Sequence, residues 1–260
     1  MPVEDVFVQT DSVSFTAHFS VQDYSSDTLR KVQRLNIFVY DADGLGELLA
    51  TRRYEFLPDS AVIYCRASNV IMVAVANSPM DFNIGALGRY DSIELLTYNY
   101  EDDSPAEPVM SGQQNISAGE SGKIVLTPLL ARVLIGEVSN TLDRYRLLEE
   151  PRIYLENMNA SAELLRTAGF HPSETVQEPP SAKLPYDIGI FPQTPGTELF
   201  CYPNDSESTI GSPSTVFVLE CEIDGITRSF KVPLPALKRN STTRVDISVT
   251  GESTCESKVY

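Results

Sequence analysis

Two histidines, four cysteines and several short acidic runs hold this chain's capacity for chemistry. His18 falls on the polar side of an alternating segment, and His171 stands directly before Pro172. Neither has a partner at metal-ligand spacing, so both read as surface residues. Cys65, Cys201, Cys221 and Cys255 form neither paired zinc-type motifs nor a redox motif. No histidine stands near Cys65 in sequence to activate it as a nucleophile. Cys201 and Cys221 lie in two strand-like runs. A disulfide fits if those runs face each other, and four free thiols acting as small apolar groups fit otherwise. Asp41-Ala42-Asp43-Gly44 and Glu101-Asp102-Asp103 hold the carboxylates that calcium prefers, but the first lacks the later acidic ligand of an EF-hand loop. Both read as solvated acidic turns. No nucleophile elbow, phosphate loop, dinucleotide fingerprint or HExxH run occurs, and Gly85-Ala86-Leu87-Gly88 is too short to cradle phosphate. A glycosidase-type carboxylate pair forms only in the fold and stays open here. The absence of tryptophan counts against a sugar-binding cleft. The expectation is a chain without catalytic residues, cofactor or metal. The N-x-S/T triplets at Asn115, Asn159, Asn204 and Asn240 read as surface-turn markers.

The elements that position these residues follow from composition and period. The chain has 260 residues, 42% hydrophobic and 22% charged, enough apolar material for two cores. Its net charge is −16, and neither half carries a basic excess. That removes the driving force for binding nucleic acid or anionic lipid. No apolar run is long enough for a membrane-spanning helix. Met1-Pro2-Val3-Glu4-Asp5-Val6 lacks the basic and apolar regions of a signal peptide. The chain is therefore cytosolic, or it begins at a mature region.

The dominant period is two. Val13, Phe15, Ala17 and Phe19 share one face of their segment, as do Leu35, Ile37 and Val39, and again Val245, Ile247 and Val249. The unbroken run Val70-Ile71-Met72-Val73-Ala74-Val75-Ala76 reads as an interior strand buried on both faces. Asp224-Gly225 marks a hairpin. Short helices are expected over 28–33, 91–96 and 161–168, the first capped by Ser26-Asp27. Residues 101–122 and 172–195 read as loops. The fold class is all-β: two tandem β-sandwiches with a boundary near 128–131, giving domains 1–129 and 130–260.

Several segments resemble the fimbrillin family, the subunits of type V pili. They are Leu35-Asn36-Ile37-Phe38-Val39-Tyr40-Asp41, Val73-Ala74-Val75-Ala76-Asn77-Ser78-Pro79 and Pro108-Val109-Met110-Ser111-Gly112. To these are added Lys123-Ile124-Val125-Leu126 with Ala131-Arg132-Val133, and Cys201-Tyr202-Pro203-Asn204 with Gly225, Pro233-Leu234-Pro235 and Arg239-Asn240. The resemblance implies two transthyretin-like sandwiches in tandem, export as a lipoprotein with a leader upstream of residue 1, and attachment to the outer membrane as part of a fimbria. It implies partnership with other pilin subunits by strand exchange, and adhesion to a host or bacterial surface receptor. The exchangeable first strand would carry Val13, Phe15, Ala17 and Phe19, held in a groove at a sheet edge. Burying Val13, Phe15 and Phe19 would contribute about 5–9 kcal/mol. Family cleavage follows a basic residue just after the first strand. The candidates here, Arg30, Lys31 and Arg34, come later, so retention of the strand is expected, as in an anchor, accessory or tip subunit. The alternative is a solitary surface lipoprotein that binds glycan or host protein through exposed aromatics around Tyr90, Tyr98 and Tyr100.

Overall fold

Alternation of side chains is realised as strands in both halves of the chain. The computed structural model describes residues 12–22, 32–165, 169–206 and 213–260. Two compact units emerge. The first comprises Met1–Leu96, Asp103–Pro128 and Glu163–Leu165, and the second Thr97–Asp102, Leu129–Ala162 and Arg166–Tyr260.

In the first unit the strands are β1 (Val13–Val21), β2 (Leu35–Asp41), β3 (Leu48–Tyr54), β4 (Ser60–Cys65) and β5 (Asn69–Ala76), and a short helix α1 (Tyr90–Glu94) follows. Two further strands, β7 (Met110–Ser117) and β8 (Ser121–Pro128), complete it; β6 (Thr97–Asn99) belongs to the second unit. The hydrogen-bonded order is β3-β2-β5-β7-β8-β1-β4. β7 and β8 are paired only at Met110–Pro128 and Ser111–Thr127, so the sheet folds over there into two layers. One layer is β3-β2-β5-β7 and the other β8-β1-β4. Between them lie Leu35, Ile37, Val39, Met72 and Ala74 from the first layer and Phe15, Ala17, Ile63, Ile124 and Leu126 from the second. Gly112 sits where the layers come together: a Cβ there would meet the Val125 carbonyl oxygen at 2.3 Å. β5 is flanked by β2 and β7 and is buried on both faces from Met72 to Ala76, which accounts for its unbroken apolar run.

The second unit adds β9 (Ala131–Asn140), β10 (Glu149–Glu156), β11 (Ser161–Glu163), β12 (Ala182–Lys183), β13 (Glu198–Cys201), β14 (Val216–Ile223), β15 (Ile226–Pro233), β16 (Thr242–Gly251) and β17 (Thr254–Val259). They form the sheets β12-β10-β14-β15 and β13-β9-β16-β17, and the small pair β11-β6. A single core fills the space between the two larger sheets, with Val133, Ile135, Val245 and Ile247 from one and Ile153, Leu155, Phe217 and Leu219 from the other. Asp224 and Gly225 form the β14–β15 turn, both at positive φ (54° and 74°), as a tight two-residue hairpin requires. The chain after Gly251 is polar, yet β17 pairs antiparallel with β16 from Val245 to Gly251.

The structure departs from several sequence expectations. Within 101–122, residues 110–117 are strand β7, paired along its length with β5. Its exposed stretch Gln113-Gln114-Asn115 is polar, so period two is masked there. Residues 161–163 are strand β11, not the start of a helix, and 166–168 lie outside the described residues. The expected helix over 28–33 and its cap fall almost wholly outside them too. α1 covers most of the helix expected at 91–96.

Asn159 and Asn204 are not surface markers: they are 6% and 2% exposed. Asn204 Nδ2 donates to the Pro213 carbonyl (3.0 Å) and to Thr215 Oγ1 (3.1 Å), and its Oδ1 accepts from the Ser206 N–H (3.1 Å). Its backbone pairs with Leu237 in both directions. One side chain thus ties together three stretches of irregular chain with no ladder of their own. Asn204→Ala strands these buried groups and is expected to cost about 1–3 kcal/mol. Chemical denaturation followed by circular dichroism measures it.

Candidate assembly site: the slot of the first strand

β1 reads Val-Ser-Phe-Thr-Ala-His-Phe-Ser-Val, aromatic and β-branched residues alternating with polar ones, a pattern that favours an extended, half-buried strand. It pairs antiparallel with β4, with Phe15 opposite Ile63 and Ala17 opposite Ala61. On its other flank it pairs parallel with β8, with Phe19 beside Ile124 and Val21 beside Leu126. Further bonds fasten its ends: Phe19 N–H to Asp59 O (3.1 Å), Gly119 N–H to Ser14 O (3.0 Å) and Gln22 N–H to Leu126 O (2.9 Å). Thr127 Oγ1 also bonds Gln22 Oε1 at 2.9 Å.

The edge groove expected for this strand is therefore corrected. β1 lies one strand in from the edge, because β4 occupies the outer position. Taking β1 away would leave a slot walled by two strands, with unpaired backbone groups on both walls and apolar surface at its floor. The apolar contribution also differs. Phe15 and Ala17 are completely buried, whereas Val13 is 36% exposed at the start of the strand. Phe19 and Val21 are partly buried against the core. Burial of β1 then contributes about 4–6 kcal/mol before its hydrogen bonds. His18 is exposed on the outer face.

Of the basic residues that follow β1, Arg30 and Lys31 lie outside the described residues. Arg34 is held in place. Its Nη2 donates to the Ser78 carbonyl at 2.8 Å, its own carbonyl accepts from Asn77 N–H at 3.0 Å, and the preceding Gln33 N–H bonds Asn77 Oδ1 at 2.9 Å. Asn77 adopts φ 57° and is 7% exposed, so this anchor is itself set in the fold. A protease requires extended, released chain, which these bonds oppose at Arg34.

The remaining chemical candidates resolve into structure. The Asp41 carboxylate accepts the Asp43 N–H (3.1 Å), and Asn69 Nδ2 bonds both Asp43 oxygens (3.0 Å). Asp103 Oδ1 caps the Ser104 and Val109 N–H groups at 2.8 and 2.9 Å. His171 Nε2 stands 3.5 Å from Asp205 Oδ1. Among the described residues no cluster of His, Cys, Asp and Glu could hold a metal ion. Shallow depressions lie over the outer faces of the sheets, one of about 520 Å³ over β10 and β14, lined by Glu150, Arg152, Lys183 and Glu220 among others.

Cys201 and Cys221 do not face each other on paired strands: β13 and β14 belong to different sheets. Both are buried in the one core, and all four thiols are free. Burial pushes Cys201 and Cys221 up to about 12, with Glu220 adding to the rise at Cys221. Burial also raises Cys65 and Cys255. The tyrosines do not form an exposed patch. Tyr98 is 1% exposed, and Tyr100 packs edge-on against Tyr202 (5.7 Å) with its hydroxyl on the Phe200 carbonyl (3.0 Å). Tyr90 bonds Gln113 (2.8 Å) and packs edge-on against Tyr40 (5.8 Å).

No protein-family model and no curated protein matches the sequence. Solved structures do match over nearly the full length. A candidate cell adhesion protein from Parabacteroides distasonis ATCC 8503 aligns at TM-score 0.66 with 15% identity, covering 96% of this chain and 95% of that one. A fimbrilin from Porphyromonas gingivalis W83 aligns at TM-score 0.66 with 13% identity, over 93% and 91%. A fimbrial assembly protein from Parabacteroides distasonis aligns at TM-score 0.59 with 13% identity, over 95% of each chain. The chain shares the all-β fold of these proteins from end to end.

Phe15→Ala is expected to destabilise the first unit by about 3–5 kcal/mol, and Val13→Ala by well under about 1 kcal/mol, as urea melts would show. Cys201 and Cys221 are expected to resist a disulfide reagent at pH 8 in the folded protein and to react rapidly once unfolded, since so little thiolate is present natively. Thiol titration with and without denaturant reads both.

Proposed function

We propose that this chain is a structural subunit of a bacterial surface pilus that mediates cell adhesion, with the β1 slot as its joint. The observation that carries this reading is a first strand paired on both flanks, so that a strand of another subunit with the same alternation could replace it bond for bond. The likeness to a fimbrilin and a fimbrial assembly protein supports it. In this reading the first unit is an N-terminal sandwich with an exchangeable first strand and the second a C-terminal one, the division expected at 129/130 being crossed by residues 97–102 and 163–165. The partners are other pilin subunits and a surface receptor. The chain sits at the cell surface, held to the outer membrane by a lipid anchor, and performs no catalysis.

The interior place of β1 makes the joint slow and durable. Its release breaks two ladders at once, whereas an edge strand would break one. Retention of the strand, with this chain as an anchor, accessory or tip subunit, follows more readily from such a slot. The hold on Arg34 supports the same conclusion.

A folded protein carrying an inserted specific protease site within residues 23–31 tests the joint. After nicking, a labelled peptide with the sequence of residues 12–22 is expected to enter one per chain, while the unnicked protein takes up none. A nicked protein that refuses the peptide at large excess and never associates would sink the exchange reading. A trypsin-like protease that cuts the natural chain once after β1 and sets off polymerisation would overturn retention.

A further inference from the structure

Three core-facing positions on neighbouring strands of the first unit are small at one level and flanked by large ones. Ala17 of β1 lies opposite Ala61 of β4 and beside Gly122 of β8. On one side of this row Phe15 lies opposite Ile63, and on the other Phe19 lies beside Ile124. Alanine and glycine are poor strand formers, so three of them at one level mark a close approach between layers. Ala17 and Ala61 are 0% and 3% exposed, so the row is small without being open. β7 of the facing layer fills the room: a Cβ at Gly122 would meet Ile116 Cγ1 at 2.7 Å and Gln114 Cγ at 2.8 Å.

The row discriminates between registers as well as between faces. A strand displaced by one residue turns its polar face to the core. A strand displaced by two keeps its faces, and alternation alone would accept it. In this slot that shift carries Phe15 or Phe19 to the level of Ala61 and Gly122, where a ring has no room. A core at native packing density does not absorb such volume without displacing its neighbours.

We propose that the slot selects its occupant by size. It takes an extended strand with large, small and large apolar side chains at three successive core-facing positions, the small one level with Ala61 and Gly122. The strand that fits belongs to another subunit and repeats the signature of Phe15, Ala17 and Phe19. The resident strand, completely buried at Phe15 and Ala17, is the occupant from which the rule is read. The inference rests on strand exchange at this slot, and it adds which strand enters and in which register.

Labelled peptides offered to the nicked full-length protein, in competition with its own resident strand, test the rule. Ala17→Leu in the peptide of residues 12–22 leaves no small side chain at any core-facing position, so no displaced register rescues it. It is expected to lower uptake at least about tenfold. His18→Leu places the same side chain on the exposed outer face and is expected to leave uptake within about threefold of the natural peptide. Entry of the Ala17→Leu peptide as readily as the natural one overturns the size rule and leaves strand exchange standing. So does an equal loss with both substituted peptides. Exclusion of the natural peptide at large excess overturns exchange, and the rule with it.

Discussion

Pairing of the leading strand on both flanks is the constraint on which each unit is built. β1 runs antiparallel to β4 and parallel to β8, and β9 in the second unit runs antiparallel to β13 and parallel to β16. The parallel contact joins the beginning of each unit to its late strands, Thr16 to Ser121 and Thr242 to Arg132. Parallel neighbours cannot be linked by a short turn, so the intervening chain must already be in place for the ladder to close. The first strand therefore acts as a bolt for its sandwich: it joins β8 to β4, which share no ladder of their own.

The two bolts are held differently. β9 places Ala131, Val133, Ile135 and Val138 in its core and is preceded by Leu129 and Leu130, both buried. Its Arg132, 7% exposed, reaches both flanks at once, bonding Glu198 on β13 at 2.7 Å and Thr242 on β16 at 3.1 Å. Breaking such a buried pair would leave an uncompensated charge, which fixes the register of β9 strongly. β1 buries only Phe15 and Ala17 completely, and its side-chain link to β8 is a neutral bond from Thr127 to Gln22. Of the two topologically equivalent strands, β1 is the one held by fewer completely buried side chains.

The fold class was legible because burial of one face leaves period two in the sequence, as in Leu35, Ile37 and Val39 or Val245, Ile247 and Val249. The burial of Val70 and of 72–76 was legible for the opposite reason, since a strand covered on both sides has no polar positions. β7 was not legible. Gln113, Gln114 and Asn115 are exposed there, so nothing local distinguishes its middle from a loop, and its strand character comes from β5 beside it. The roles of Asn159 and Asn204 were hidden likewise, because a buried amide that satisfies distant carbonyls has the same local sequence as one in a surface turn. The position of β1 could be read for face but not for flank: alternation says which side chains are buried and is silent on how many neighbours a strand has.

That silence extends to β4. Ala61, Ile63 and Cys65 alternate with Ser60, Val62 and Tyr64 as cleanly as any strand in the chain, yet what matters about the segment is its place at the end of a layer. A strand with outward Val62 and Tyr64 would need no comment between two neighbours, where its backbone is already paired. At an edge the same residues join unpaired N–H and C=O groups to exposed apolar surface. A net charge of −16 restrains chance association over most of the surface.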